Sequence, residues 1–117
     1  GPYTFASRFE TGEGTNPEEL VGSALAGCFS MFLSALVSKD GYTPTKIQTE
    51  ASVTLGKEND SPKITQIELT TNAAIPTLTE DSFNDYVQKT KENCPISKLY
   101  QGTTIRVNAT LNTTTTV

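Results

Sequence analysis

The sequence predicts an α+β fold in which a long, uncharged helix and a second helix pack against an antiparallel sheet. Three observations support this prediction. Residues 20–37 contain no charged side chain, residues 46–57 and 63–73 alternate apolar and polar side chains on either side of a turn, and residues 79–93 repeat apolar side chains at helical spacing. The 117 residues suit a single domain.

The long helix is predicted to begin after Asn16 and to end before Gly41. Asn16 is a favourable N-cap, Pro17 fits the first helical position, and the two glutamates that follow favour the positive end of the helix dipole. Glycine commonly follows the last residue of a helix, as Gly41 would here. Small side chains recur at every fourth position and would let another backbone approach: Gly22, Ala26, Ser30 and Ser34.

The uncharged run is almost long enough for a membrane-spanning helix, which takes about 20 apolar residues. Serines and two glycines lower its hydropathy, however, and the rest of the chain is polar. We therefore expect a helix buried on most sides, at the centre of the protein or between two subunits, and no membrane partner. Because no signal peptide is visible at the start of the sequence, we expect a cytoplasmic protein.

The next two elements form a predicted hairpin around the turn at residues 58–62. Each strand alternates, so that one face is apolar. The inward face is formed in the first strand by Ile47, Ala51, Val53 and Leu55, and in the second by Ile67, Leu69 and Thr71.

A second helix over residues 79–93 follows the hairpin. Thr79 is its predicted N-cap, and its apolar face is formed by Phe83, Tyr86, Val87 and Thr90. Pro95 ends this helix, and a short helix over residues 95–99 begins at once. A last strand over residues 103–111 alternates in the same way as the first two.

Composition excludes several classes of function. The net charge is −4, and the nine basic residues are scattered, so we expect no nucleic-acid partner. The chain contains no histidine. Zinc sites built on histidine are therefore excluded, as are Ser-His and Cys-His nucleophile pairs. Two cysteines without histidine make a poor metal site, and we expect none.

The two cysteines, Cys28 and Cys94, have three interpretations. They could form a structural disulfide, be buried independently of each other, or act as a redox pair. A structural disulfide is typical of secreted proteins. Cys28 lies in the middle of the long helix, whereas Cys94 precedes Pro95 at the start of a short helix, where backbone N–H groups favour a thiolate. A fixed thiol and a thiol at the end of an element suit an attacking and a resolving pair.

A reactive Cys28 needs a cation beside it, because an apolar helix disfavours a thiolate. Arg8, between Phe5 and Phe9, is the candidate, although it also fits an ordinary surface strand residue. Glu18 lies ten residues before Cys28, which is about 15 Å along a straight helix. If Glu18 belongs to the site, we therefore expect it to come from a second subunit.

Three blocks of sequence resemble the OsmC/Ohr family, the osmotically induced protein C and organic hydroperoxide resistance proteins. They are residues 15–20 (TNPEEL), residues 26–31 (AGCFSM) and residues 93–99 (NCPISKL), and residues 2–10 favour the OsmC branch. The resemblance spans nearly the whole chain. It implies a single domain over residues 1–117, which lacks about three strands that family members have before it.

The resemblance implies a cofactor-free peroxidase that acts on organic hydroperoxides during oxidative and osmotic stress. Cys28 matches the peroxidatic cysteine, Cys94 the resolving cysteine, Arg8 the arginine that holds the thiolate, and Glu18 the glutamate that orients this arginine. The implied assembly is an intertwined homodimer with sites at the interface. A dithiol such as a dihydrolipoyl group would restore the reduced enzyme.

Apolar side chains around the site would favour organic peroxides, and the candidates are Phe5, Phe9, Phe29 and Met31. Phe29 and Met31 also fit a plain core role. Leu25 stands where OsmC members often carry a histidine, so any role of that side chain is lost. The alternative functions are an inactive dimeric stress or binding protein of the same fold, and a small membrane protein built on the long helix.

Overall fold

The structure is a computed structural model that describes residues 16–112. Every predicted helix and strand in this range is present. The elements are helix α1 (Pro17–Lys39), strands β1 (Lys46–Glu58) and β2 (Ser61–Ala74), helices α2 (Glu80–Asn93) and α3 (Pro95–Leu99), and strand β3 (Thr104–Asn112). The fold is therefore α+β, as predicted.

Local signals set the ends of these elements. The Asn16 side chain accepts a hydrogen bond from the Glu19 N–H at 2.8 Å and caps α1, and Gly41, just beyond its end, has a φ of 93°. The hairpin turn places Asn59 and Asp60 at φ values of 53° and 64°. Two consecutive residues with positive φ are typical of a type I′ turn, whose twist matches that of the two flanking strands.

The sheet is mixed, so the expectation of an antiparallel sheet is wrong for its last strand. The strand order is β1-β2-β3, with β1 antiparallel to β2 and β3 parallel to β2. The chain leaves β2 at Ala74 and enters β3 beside Gln66, near the middle of β2. Helices α2 and α3 form the crossover between them, and a parallel pair requires such a crossover.

One ridge of α1 forms the centre of the core. The side chains at every fourth position, Leu25, Phe29, Leu33 and Val37, are fully buried. They belong to the same cluster as Ile67 and Leu69 of β2 and Phe83 of α2. Helix α1 has the length and apolar composition of a membrane-spanning helix, and 33% of its most apolar stretch is buried inside the protein.

Within a single chain α1 is not buried on most sides, so its expected burial at the centre of the protein is not found, and its expected burial between two subunits stays a prediction. Gly27, Met31 and Ala35 are exposed, and Met31 retains 75% of its accessible surface. The physical reason is that one three-stranded sheet covers only one side of a helix. Leu55 was also expected to face inward, but it is 42% exposed because the pairing register shifts between Thr54 and Leu55.

The small-residue stripe of α1 faces strand β1 of the same chain. A Cβ atom at Gly22 would lie 2.8 Å from Val53 Cγ2 and 3.1 Å from Ala51 Cβ. Two turns further on, the Ser30 hydroxyl lies 2.6 Å from that of Thr49. Small side chains therefore let α1 lie close against β1, and this approach fixes the position of the helix over the sheet.

Candidate redox site

The sulfur atoms of Cys28 and Cys94 are bonded to each other. Cys28 lies in the middle of α1, and Cys94 lies 66 residues later at the junction of α2 and α3. Their Cα atoms are 6.4 Å apart, within the range found for disulfides. The two cysteines singled out in the sequence are therefore neighbours, which excludes the interpretation that they are buried independently of each other.

Cys94 owes its position to a break between two helices. Its N–H donates to the Thr90 carbonyl at 2.9 Å and closes α2, while its own carbonyl accepts from the Lys98 N–H at 3.0 Å and opens α3. Pro95 follows as the first residue of α3, where the missing N–H of proline costs nothing. The predicted N-cap position of Cys94 is confirmed.

The two sulfur-bearing residues differ in exposure. Cys94 is fully buried and belongs to the core cluster, whereas Cys28 is only partly buried and packs against the edge of that cluster. A molecule that approaches from solvent therefore meets Cys28 first. Such an arrangement suits a pair in which one sulfur reacts with an external reagent and the other with its partner.

Tyr100 holds the end of α3 against α1. Its hydroxyl donates to the Val21 carbonyl at 3.2 Å, and burial raises the pKa of this tyrosine above its usual value. Sequence reasoning assigned no role to Tyr100, because it follows a short helix and belongs to no periodic pattern. Its contact keeps the segment that carries Cys94 close to the helix that carries Cys28.

Ser97 belongs to the second cysteine motif, and the sequence analysis assigns it no separate role. It is the third residue of α3, its residue surface is 7% exposed, and its hydroxyl has no hydrogen-bond partner within the described part of the chain. The sequence signal that could have singled it out is its spacing. The third position of a helix lies next to the N-cap, which here is Cys94.

Glu18 lies in the first turn of α1, ten residues from Cys28 in the same helix. At about 1.5 Å per residue, the separation is about 15 Å, so the two side chains do not meet within one chain. Glu18 instead lines a groove of about 990 Å³ between α1 and β1, together with Ser23, Gly27 and Val53. Within one chain, Glu18 therefore does not reach Cys28, and its expected role stays a prediction.

The predicted apolar residues lie in different places. Phe29 is fully buried in the core, whereas Met31 lies on the exposed side of α1, beside a second groove of about 480 Å³. One chain therefore does not bring them together around Cys28. Arg8, Phe5 and Phe9 lie outside the described residues. Between residues 16 and 112, no three His, Cys, Asp or Glu side chains lie close enough to hold a metal ion.

Comparisons with known proteins show which family the chain resembles. The family model for OsmC-like proteins matches residues 10–109. Over 98 residues the chain is 46% identical to a protein of Escherichia coli named peroxiredoxin OsmC. This match covers 84% of this chain and 68% of that protein.

Two solved structures share the fold. The organic hydroperoxide resistance protein OhrB of Bacillus subtilis superposes with a TM-score of 0.70 and 27% identity, over 87% of this chain and 73% of that one. An OsmC-like protein of unknown function from Vibrio cholerae gives a TM-score of 0.74 at 19% identity and shows the fold alone. This match covers 83% of the chain but only 65% of the Vibrio protein, so the chain spans less than two thirds of that neighbour.

The family model covers most of the chain, and the fold brings the two cysteine motifs together at the Cys28–Cys94 bond. The chain belongs to the OsmC-like protein family.

Proposed function

We propose that this protein is a thiol-dependent peroxidase that reduces organic hydroperoxides, and hydrogen peroxide more weakly, to alcohols or water. The observation that carries the proposal is the bond between Cys28 and Cys94, which joins a partly buried residue to a fully buried one. The names of the relatives, peroxiredoxin OsmC and organic hydroperoxide resistance protein, support a peroxidase role.

The proposed oxidation uses Cys28 first. Its thiolate attacks the peroxide oxygen remote from the organic group, the O–O bond breaks, and the alkoxide that leaves takes a proton from solvent to become the alcohol. Cys28 is then a sulfenic acid. The Cys94 thiol attacks the Cys28 sulfur, water leaves, and the disulfide forms. An external dithiol, such as a dihydrolipoyl group, returns both cysteines to thiols, and no metal or organic cofactor takes part.

The proposed site is completed by a second copy of the chain. Arg8 would hold the Cys28 thiolate and polarise the peroxide, and Glu18 would orient Arg8. The distance of about 15 Å between Glu18 and Cys28 in one helix supports a contribution from the partner subunit. The exposed side of α1 and the adjacent groove offer the surface on which a second copy would lie.

Thiol titration of the purified protein tests the proposal. The protein is first fully reduced, freed of reductant and treated with one equivalent of cumene hydroperoxide, and its free thiols and intact mass are then measured. Loss of both thiols together with two mass units, reversed by dihydrolipoamide, is the expected result. Two thiols that persist would contradict the proposal and favour an inactive protein of the same fold.

A further inference from the structure

Ser97 carries a buried hydroxyl that no group within residues 16–112 satisfies while Cys94 is in the disulfide. The residue is 7% exposed, and its Oγ atom lacks a hydrogen-bond partner among residues 16–112. Buried hydroxyl groups are normally paired, so an unpaired one calls for an explanation. A partner that becomes available only in another state of the protein would provide it.

The two longer helices show the hydrogen bond that an N-cap side chain makes to the third residue of a helix. The N-cap side chain of α1, Asn16, accepts from the N–H of Glu19, and the N-cap side chain of α2, Thr79, accepts from the N–H of Ser82 at 3.2 Å. In each case the N-cap and the third helical residue are adjacent. In α3 these two positions are Cys94 and Ser97, and the cap makes no side-chain hydrogen bond.

The burial of the two cysteines sets the direction of reduction. Residue Cys94 is fully buried whereas residue Cys28 is only partly buried, so an incoming thiolate from solvent attacks on the Cys28 side of the disulfide. A bond forms between the reductant and Cys28, the Cys28–Cys94 bond breaks, and its electron pair stays on Cys94. The second thiol of the reductant then attacks the reductant sulfur in the mixed disulfide and releases the Cys28 thiolate. The dithiol is oxidised by two electrons, and both cysteines are reduced.

Cys94 therefore leaves as a thiolate in a buried position. Burial disfavours a thiolate, and the rate of thiol–disulfide exchange depends on how well the leaving sulfur carries the charge. A hydrogen-bond donor beside the leaving sulfur offsets the loss of water. Ser97 has a free donor at the adjacent position of the same helical turn.

We propose that the Ser97 hydroxyl donates a hydrogen bond to the Cys94 sulfur when the disulfide opens, and that this bond speeds reduction of the protein. The inference rests on the proposed function for the role of Cys94 as the resolving cysteine. It assigns Ser97 a role in the reductive half of the cycle. Ser97 acts there on the buried Cys94 sulfur, through a hydrogen bond that is not made in the oxidised form.

The test measures reduction without peroxide, so its outcome is independent of peroxidase activity. The oxidised protein is mixed with dithiothreitol from about pH 6 to pH 9, and the loss of the disulfide is followed by thiol labelling and intact mass. We compare the wild type with Ser97→Ala, with Ser97→Thr, which keeps the hydroxyl, and with Ser82→Ala, which changes the third residue of α2 instead.

We expect Ser97→Ala to be reduced about tenfold more slowly, and Ser97→Thr and Ser82→Ala to react at close to the wild-type rate. In a dithiothreitol redox buffer at about pH 9, the Ser97→Ala disulfide should be about tenfold harder to reduce, which corresponds to about 30 mV for two electrons. This difference should shrink toward pH 6, because a hydrogen bond to a neutral thiol is weaker than one to a thiolate. The oxidised Ser97→Ala protein should unfold no more readily than the oxidised wild type, since the hydroxyl is unpaired there.

Three results would overturn the proposal. The first is a wild-type rate of reduction in Ser97→Ala. The second is an equal slowing in Ser97→Thr, which would assign the effect to packing. The third is a loss of stability in oxidised Ser97→Ala, which would give the hydroxyl a role in the disulfide form. None of these results would contradict the proposed peroxidase activity, which the cumene hydroperoxide titration tests separately.

Discussion

Gly22 of α1 lies so close to Val53 of β1 that a Cβ atom on the glycine would stand 2.8 Å from the valine Cγ2 atom. Five residues further along the same helix, a Cβ atom at Gly27 would meet no atom within 4 Å. The two glycines thus have the same helical backbone but different surroundings. Alanine substitutions at the two glycines therefore distinguish the effect of close packing on stability from the intrinsic preference of a helix for alanine.

We expect Gly22→Ala to destabilise the protein by about 1–3 kcal/mol, because the helix must move away from a short, branched side chain on β1. Gly27→Ala, as the matched control, should stabilise it by about 0.5–1 kcal/mol through helix propensity. Urea unfolding followed by circular dichroism measures both. A stabilised Gly22→Ala protein would contradict the close approach of α1 to β1, and a destabilised Gly27→Ala protein would indicate that another chain covers this side of α1.

Reduction of the disulfide should lower the free energy of unfolding. The bond closes a loop across 66 residues, and chain entropy predicts a stabilisation of about 4 kcal/mol for a loop of this size, with about 2–5 kcal/mol typical of native disulfides. Urea unfolding with and without reductant measures this loss. Cys28→Ser should show no response to reductant. A wild-type protein equally stable in both conditions would argue against a bond across this loop.

Replacement of each cysteine should stop the peroxidase cycle at a different step. Cys28→Ser should abolish turnover of cumene hydroperoxide, because the thiol that attacks the peroxide is lost. Cys94→Ser should allow one oxidation and then over-oxidation of Cys28 to the sulfinic acid, because no thiol resolves the sulfenic acid. Peroxide consumption and intact mass distinguish the two variants. Full multiple-turnover activity in Cys28→Ser would overturn the mechanism.

The hydrogen bond from Tyr86 to Asp40 joins α2 to the end of α1. This bond, with a smaller contribution from burial, raises the pKa of Tyr86 from 10.0 to about 12. Since the folded pKa lies above the unfolded value, the stabilisation is complete below about pH 10 and is lost as the pH rises through about 12.

Tyr86→Phe should therefore cost roughly 0.5–1 kcal/mol at neutral pH, a modest amount because the pair is largely exposed. The difference between wild type and variant should narrow above about pH 10, as measured by urea unfolding. Ultraviolet titration of Asp40→Asn provides the control, in which the pKa of Tyr86 should return toward 10. An Asp40→Asn protein that still titrates near 12 would assign the shift to another cause.

Much of the site was predictable from local sequence. Asn16, Thr79 and Pro95 mark helix boundaries by their own chemistry, and the strands alternate visibly, so every element was placed to within about two residues. The cysteine motifs were identified because their residues are contiguous. Ser97 and Tyr100 were not assigned roles, because the burial of one and the long-range hydrogen bond of the other depend on residues distant in the chain.

The sequence by itself determined which segments are helix and strand, because caps, turns and side-chain periodicity act over a few residues, and it showed which two residues carry a thiol. Only the tertiary structure decided that β3 runs parallel to β2, that α1 keeps one side exposed, and that Cys28 meets Cys94. These features depend on where the α2–α3 crossover carries the chain. That path is set by the packing of Phe83 and Cys94 against the α1 ridge, to which the whole core contributes.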